Sequence, residues 1–158
     1  MSPLADLLPS VGHQALFGAV AAVGFGVLFN FGRRGLLWCA AMGALALAIR
    51  TVGLSAGWSL EAASFVAAFA AALVVTFGRS APGSASDAVA LAGCIPMVPG
   101  AFFGKALLGF FALTGPVVTD AGGLMIASSE AMLRVIFTLG AIGAGLAIPT
   151  HMTRHRGF

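Results

Sequence analysis

Apolar residues fill this chain in long, almost unbroken runs. They cover roughly residues 11–31, 35–54, 58–77, 88–113 and 128–148, and Gly, Pro, Ser and charged positions gather between them. Inside the runs the apolar positions are continuous, not alternating, and rich in Ala, Leu and Gly. Barrel strands would show a period of two. Continuous runs of about 20 residues instead match a hydrocarbon core of roughly 30 Å at about 1.5 Å per residue. Hydrocarbon offers no water to backbone N–H and C=O groups, so such runs must be helices. The pattern therefore predicts an all-α integral membrane protein, a single transmembrane domain over 1–158. It has about five transmembrane helices, the fourth broken at Pro96–Gly100.

Composition agrees with this. The 158 residues include 8 Lys and Arg and 5 Asp and Glu, 59% are apolar, and there is no Tyr. Mean hydropathy is +1.04. A soluble domain carries about 25% charged residues, so most of this surface faces lipid. Three classes of work remain: moving something across a bilayer, holding a partner in one, or chemistry at its surface. The first run is longer than a signal-peptide core and reads as a first span rather than a cleaved leader. The basic residues sit at span ends, and the pI of 9.7 does not point to nucleic acid.

Charge also sets an orientation. Arg33 and Arg34, then Arg79, then Arg154 and Arg156 fall on alternate loops, while Asp6 and Asp120 fall on the other side. The positive-inside rule places the Arg-bearing loops and the C-terminus in the cytoplasm and the N-terminus outside. Five spans satisfy that parity; four do not.

The fourth run carries the most unusual residues, Ile95-Pro96-Met97-Val98-Pro99-Gly100. Each Pro removes an N–H and clashes with the preceding turn. Broken backbone at membrane depth is tolerated where it is buried in protein or lines a cavity. Pro99 suits the first turn of a new half-helix, whose N-terminus favours an anion such as a carboxylate. Pro96, Met97, Val98, Pro99 and Gly100 are thus candidate substrate-binding or gating residues, as in transporters with discontinuous helices. A Pro kink that only shapes packing fits the same residues. Lys105 follows the break and either pairs with an anionic substrate or snorkels to the outer surface. Arg50 and Glu61 lie equidistant from the midpoint of the second hairpin, which predicts an ion pair. Intramembrane charges commonly mark function, so Glu61 is a candidate proton acceptor with Arg50 setting its charge. A structural pair near the outer interface is the alternative.

Other features read more plainly. Glu130 and Arg134 have helix-surface spacing. Trp38 and Trp58 lie near span starts, as aromatic-belt anchors do. Gly100 and Gly104, the Gly140–Gly143–Ala144–Ala147 face and the Ala40–Ala44–Ala48 face permit close helix contact. Cys39 and Cys94 sit in apolar runs and read as small buried residues. No HExxH, phosphate loop, nucleophile triad or acidic metal cluster occurs, so neither an enzyme, a cofactor nor a metal is expected. His13, His151 and His155 lie at span ends or in the tail.

Phe29-Asn30, Leu37-Trp38-Cys39-Ala40, Arg50, Glu61 and Ile95 to Gly100 together resemble the small membrane subunit (YjjB type) of the two-component threonine/serine exporter-like family. The resemblance spans roughly Ala21 to Pro149. It implies secondary export of a small carboxylate-bearing metabolite, threonine/serine or a dicarboxylate such as succinate, across the bacterial inner membrane. It also implies a larger membrane subunit as a separate partner. Rival classes are a non-transporting membrane scaffold and a small homo-oligomeric channel.

Overall fold

A computed structural model describes residues 3–77, 86–115 and 120–154. Among these residues there are helices and no strands. The helices are α1 (Pro3–Leu28), α2 (Arg33–Ser55), α3 (Leu60–Phe77), α4 (Ser86–Cys94), α5 (Gly100–Leu113) and α6 (Ala121–Arg154). A single 3₁₀ turn, Ile95–Met97, extends α4. α1, α2, α3 and α6 each contain a stretch long and apolar enough to cross a membrane. Asp87–Met97 and Gly100–Leu113 form a bent pair that makes a fifth span when counted as one. The expected broken fourth helix is thus present. The Arg79 loop and the tail residues His155 and Arg156 lie outside the described residues.

Helix ends follow from local chemistry. α1 stops in a Schellman motif: Phe31 N–H donates to the Gly26 carbonyl (3.0 Å) and Asn30 N–H to Val27 (2.9 Å). Asn30 takes the left-handed conformation this requires, at φ 58°. α2 stops the same way. Gly57 has φ 82°, Trp58 N–H reaches the Gly53 carbonyl at 3.0 Å, and the Trp58 ring lies over Gly53. Ser59 then caps α3, its hydroxyl accepting from Ala62 N–H at 3.1 Å.

The chain forms two compact units, Met1–Met97 with Ala141–Phe158, and Val98–Gly140. The core of the first is made of small residues. Ala22, Cys39, Met42, Ala46, Ala67, Ala68, Ala71, Val89, Ala92, Cys94 and Met97 are buried together. Helix backbones consequently touch. A Cβ on Gly43 of α2 would strike the Gly18 carbonyl of α1, and a Cβ on Gly93 of α4 would strike Met42 and, at 3.1 Å, the Gly43 amide nitrogen. A Cβ on Gly145 would meet the Phe65 carbonyl of α3 at 2.7 Å. Trp38 packs partly buried against this core. At Gly100, Gly104, Gly140 and Gly143 an added Cβ would meet nothing within 4 Å. The close contacts therefore fall on glycines other than those the GxxxG spacing suggested.

In the second unit, Gly109 of α5 lies against Ser128 of α6. Arg134 sits 5.7 Å from the Phe102 ring centre and pairs with Glu130 at 3.3 Å, as their spacing predicted.

α6 departs from expectation at both ends. It begins at Ala121, seven residues before Ser128, because Asp120 accepts a hydrogen bond from Gly123 N–H at 2.9 Å and caps the helix. It also continues through Pro149, beyond the end of the apolar run at residue 148. In the same turn the Thr150 hydroxyl donates to the Leu146 and Ala147 carbonyls.

Candidate functional site

A cavity of about 490 Å³ opens within the first unit. Gln14 of α1 and Pro96 of the 3₁₀ turn form two of its sides. The third is one face of α2, made by Leu47, Arg50, Thr51, Leu54 and Ser55. These positions recur at intervals of three and four, which align on one side of a helix.

Arg50 is held in place by the break. Its Nη1 donates to the Met97 carbonyl at 2.7 Å. In an unbroken helix that carbonyl would accept the N–H four residues on. Here Val98 and Pro99 interrupt the helix, and the Phe102 and Phe103 N–H groups both turn to the Pro99 carbonyl at 3.1 Å. A cation satisfies the Met97 carbonyl at the interruption. A guanidinium has five N–H donors in a fixed fork, so further donors remain for a ligand beside the Met97 bond.

The two hydroxyls on the α2 face have a defined polarity. Thr51 Oγ1 donates to the Leu47 carbonyl at 2.7 Å, and Ser55 Oγ donates to the Thr51 carbonyl at 2.8 Å. With their protons engaged, both oxygens offer lone pairs and act as acceptors. The cavity therefore combines a cationic donor, two acceptors and the Gln14 amide, which does both. Its polar groups match a small molecule with an anionic end and an N–H or O–H donor.

The other predicted site residues are distributed differently. Pro96 lines the cavity and Met97 supplies the carbonyl, while Val98, Pro99, Gly100, Lys105 and Glu61 are not among its lining residues. Lys105 is exposed on α5. The expected Arg50–Glu61 ion pair is not formed; among the described residues the ion pair is Arg134–Glu130. The turn explains this. α2 runs to Ser55 and α3 starts at Leu60, so the hairpin centres beyond the assumed midpoint. Arg50 lies five residues inside its helix and Glu61 only one, a depth difference of roughly 6 Å at about 1.5 Å per residue. Glu61 sits in the first turn of α3, where a helix N-terminus favours a carboxylate.

Gln14, Thr51 and Ser55 were not singled out from the sequence. A usable signal existed: Arg50, Thr51 and Ser55 put three polar groups on one stripe of an otherwise apolar helix.

Residues 14–152 match the family model described as Threonine/Serine exporter, ThrE, and the chain belongs to that family. It is a family of transporters rather than of enzymes. No solved structure matches the chain.

Proposed function

We propose that this chain is one subunit of a secondary exporter that moves a small carboxylate-bearing metabolite out across the bacterial inner membrane. The observation that carries the reading is the Arg50 guanidinium, fixed by the Met97 carbonyl at the wall of a cavity among apolar helices. Arg50 binds the carboxylate. Thr51 and Ser55 accept from the ligand's ammonium or hydroxyl, and Gln14 bridges. One Arg and two acceptors favour an amino acid such as threonine or serine over a dicarboxylate, whose second carboxylate would face lone pairs. The family description supports the same choice.

The small-subunit resemblance supports a larger membrane subunit as partner, and the alternation of Arg33, Arg34, Arg79, Arg154 and Arg156 supports an outside N-terminus and a cytoplasmic C-terminus. An ion gradient or the substrate's own gradient supplies the energy. Counterflow of labelled threonine, serine and succinate in vesicles containing both subunits tests the reading. Exchange of the amino acids supports it. Exchange of succinate alone overturns the substrate choice, and no exchange of any of the three leaves the scaffold reading. Flux by this chain without a partner favours the homo-oligomeric channel.

A further inference from the structure

A second pocket, of about 380 Å³, lies on the α1–α2 hairpin, away from the cavity residues. Its walls are Val23 of α1 and Arg33, Leu36, Leu37 and Ala40 of α2. Arg33, Leu36, Leu37 and Ala40 stand at i, i+3, i+4 and i+7, so the groove runs along one helix face for about 10 Å from its charged end. Four of the five lining residues are apolar, and the cation sits at the end where both candidate spans terminate.

Three observations specify what fills it. Arg33 and Arg34 are both exposed, and neither has an ion-pair or hydrogen-bond partner among the described residues. Gly32 caps α2 without a side-chain acceptor, and the first turn holds no acidic residue, so among the described residues no anion neutralises this end. Leu37 is 72% exposed, so the groove opens outward toward the surroundings of the hairpin. A charged mouth with an apolar trough leading away from it complements a molecule having an anionic head and a hydrocarbon tail.

We infer that the α1–α2 groove binds an anionic phospholipid, its phosphate headgroup on Arg33 and Arg34 and an acyl chain along Val23, Leu36, Leu37 and Ala40. Any apolar groove in a bilayer touches lipid. The distinguishing claim is selection of the anionic headgroup, which bulk annular contact does not provide. Basic residues next to a span attract anionic lipid, and here Arg33 lines the end of a groove shaped for the tail, with Arg34 beside it in sequence.

Native mass spectrometry of the purified full chain, titrated with dioleoyl phosphatidylglycerol and dioleoyl phosphatidylcholine, tests this. Identical tails isolate the headgroup. Phosphatidylglycerol should bind more tightly, by about fivefold for each basic residue engaged. Arg33→Gln with Arg34→Gln should bring the two lipids to equal affinity. Ala40→Phe, which fills the groove, and Leu37→Ser, at an exposed position that leaves the core intact, should each weaken phosphatidylglycerol while both arginines remain. Equal affinities for the two lipids in the unaltered chain overturn the inference. So does an undiminished phosphatidylglycerol preference in Leu37→Ser and Ala40→Phe, which would reduce the site to surface charge. Displacement of the lipid by inorganic phosphate would also overturn it, by assigning the site to free anions.

Discussion

Arg50 Nη1 lies 2.7 Å from the carbonyl oxygen of Met97, 47 residues away in sequence. That bond joins the last third of one apolar helix to the point where another is interrupted. It gives the guanidinium a fixed direction and the interrupted backbone an acceptor's partner.

Replacing Arg50 therefore acts on both. Arg50→Met removes the cation from the cavity and leaves the Met97 carbonyl without its donor. Hydrogen bonds to charged groups contribute about 1.5–3 kcal/mol, so substrate affinity should fall roughly ten- to hundredfold. Arg50→Lys keeps the charge without the fork and should fall between the two. Equilibrium substrate binding to the detergent-solubilised two-subunit complex checks this. Unchanged affinity in Arg50→Met would remove Arg50 from the site.

The hydroxyl pair should discriminate between substrates. Thr51→Val with Ser55→Ala removes two acceptors but keeps Arg50. A neutral hydrogen bond contributes about 1 kcal/mol, so amino-acid binding should weaken about fivefold for each hydroxyl used. Succinate, which lacks an ammonium, should not weaken in parallel. Competition between the two ligands in counterflow gives the ratio directly, and equal losses for both would dissociate these hydroxyls from the ammonium.

Arg50 and Glu61 should behave independently. Arg50 is engaged by Met97 and Glu61 sits in the first turn of α3. The stability losses of Arg50→Gln and Glu61→Gln should add within about 0.5 kcal/mol in the double variant. A larger coupling would show that the two charges meet in another state of the protein.

The glycines of the core should not be equivalent. A Cβ at Gly43 strikes the Gly18 backbone, whereas one at Gly24 meets nothing within 4 Å. Gly43→Ala should destabilise by about 1–3 kcal/mol, the usual cost of overpacking. Gly24→Ala, on an open helix face, should be neutral or stabilise by up to about 1 kcal/mol. Thermal unfolding in detergent separates them.

Labelling can decide the orientation. In a background with Cys39 and Cys94 replaced by Ala, single cysteines at Ser2 and Thr153 should react from opposite faces of sealed vesicles, Ser2 from outside. Reaction from one face would exclude an odd number of spans.

What the sequence revealed tracks how local each cause is. The break is written covalently, since Pro96 and Pro99 cannot donate. The ends of the hairpins are nearly as local, because Asn30 and Gly57 can adopt a left-handed backbone that bulkier residues avoid. Arg50 is a harder case. Its unusual position in a span was visible, but its partner was not: a backbone carbonyl carries no residue-type signal, and the symmetric hairpin that pointed to Glu61 ignored the four-residue turn between Ser55 and Leu60. Pro149 is a second such case: its ring removes the N–H that would reach the Gly145 carbonyl, yet α6 runs on to Arg154.

The contacts of Gly43 have a mechanical consequence. α2 touches α1 through Gly18 and α4 through Gly93, at distances that leave no side chain between the backbones. Helices interlocked so closely do not slide without first lifting apart. Gln14, Arg50 and Pro96 belong to these three neighbouring segments, so the walls of the cavity travel together as one rigid jaw. In the proposed exporter, a cavity so built would be exposed to each side of the bilayer by a removable cover rather than by a seam that splits.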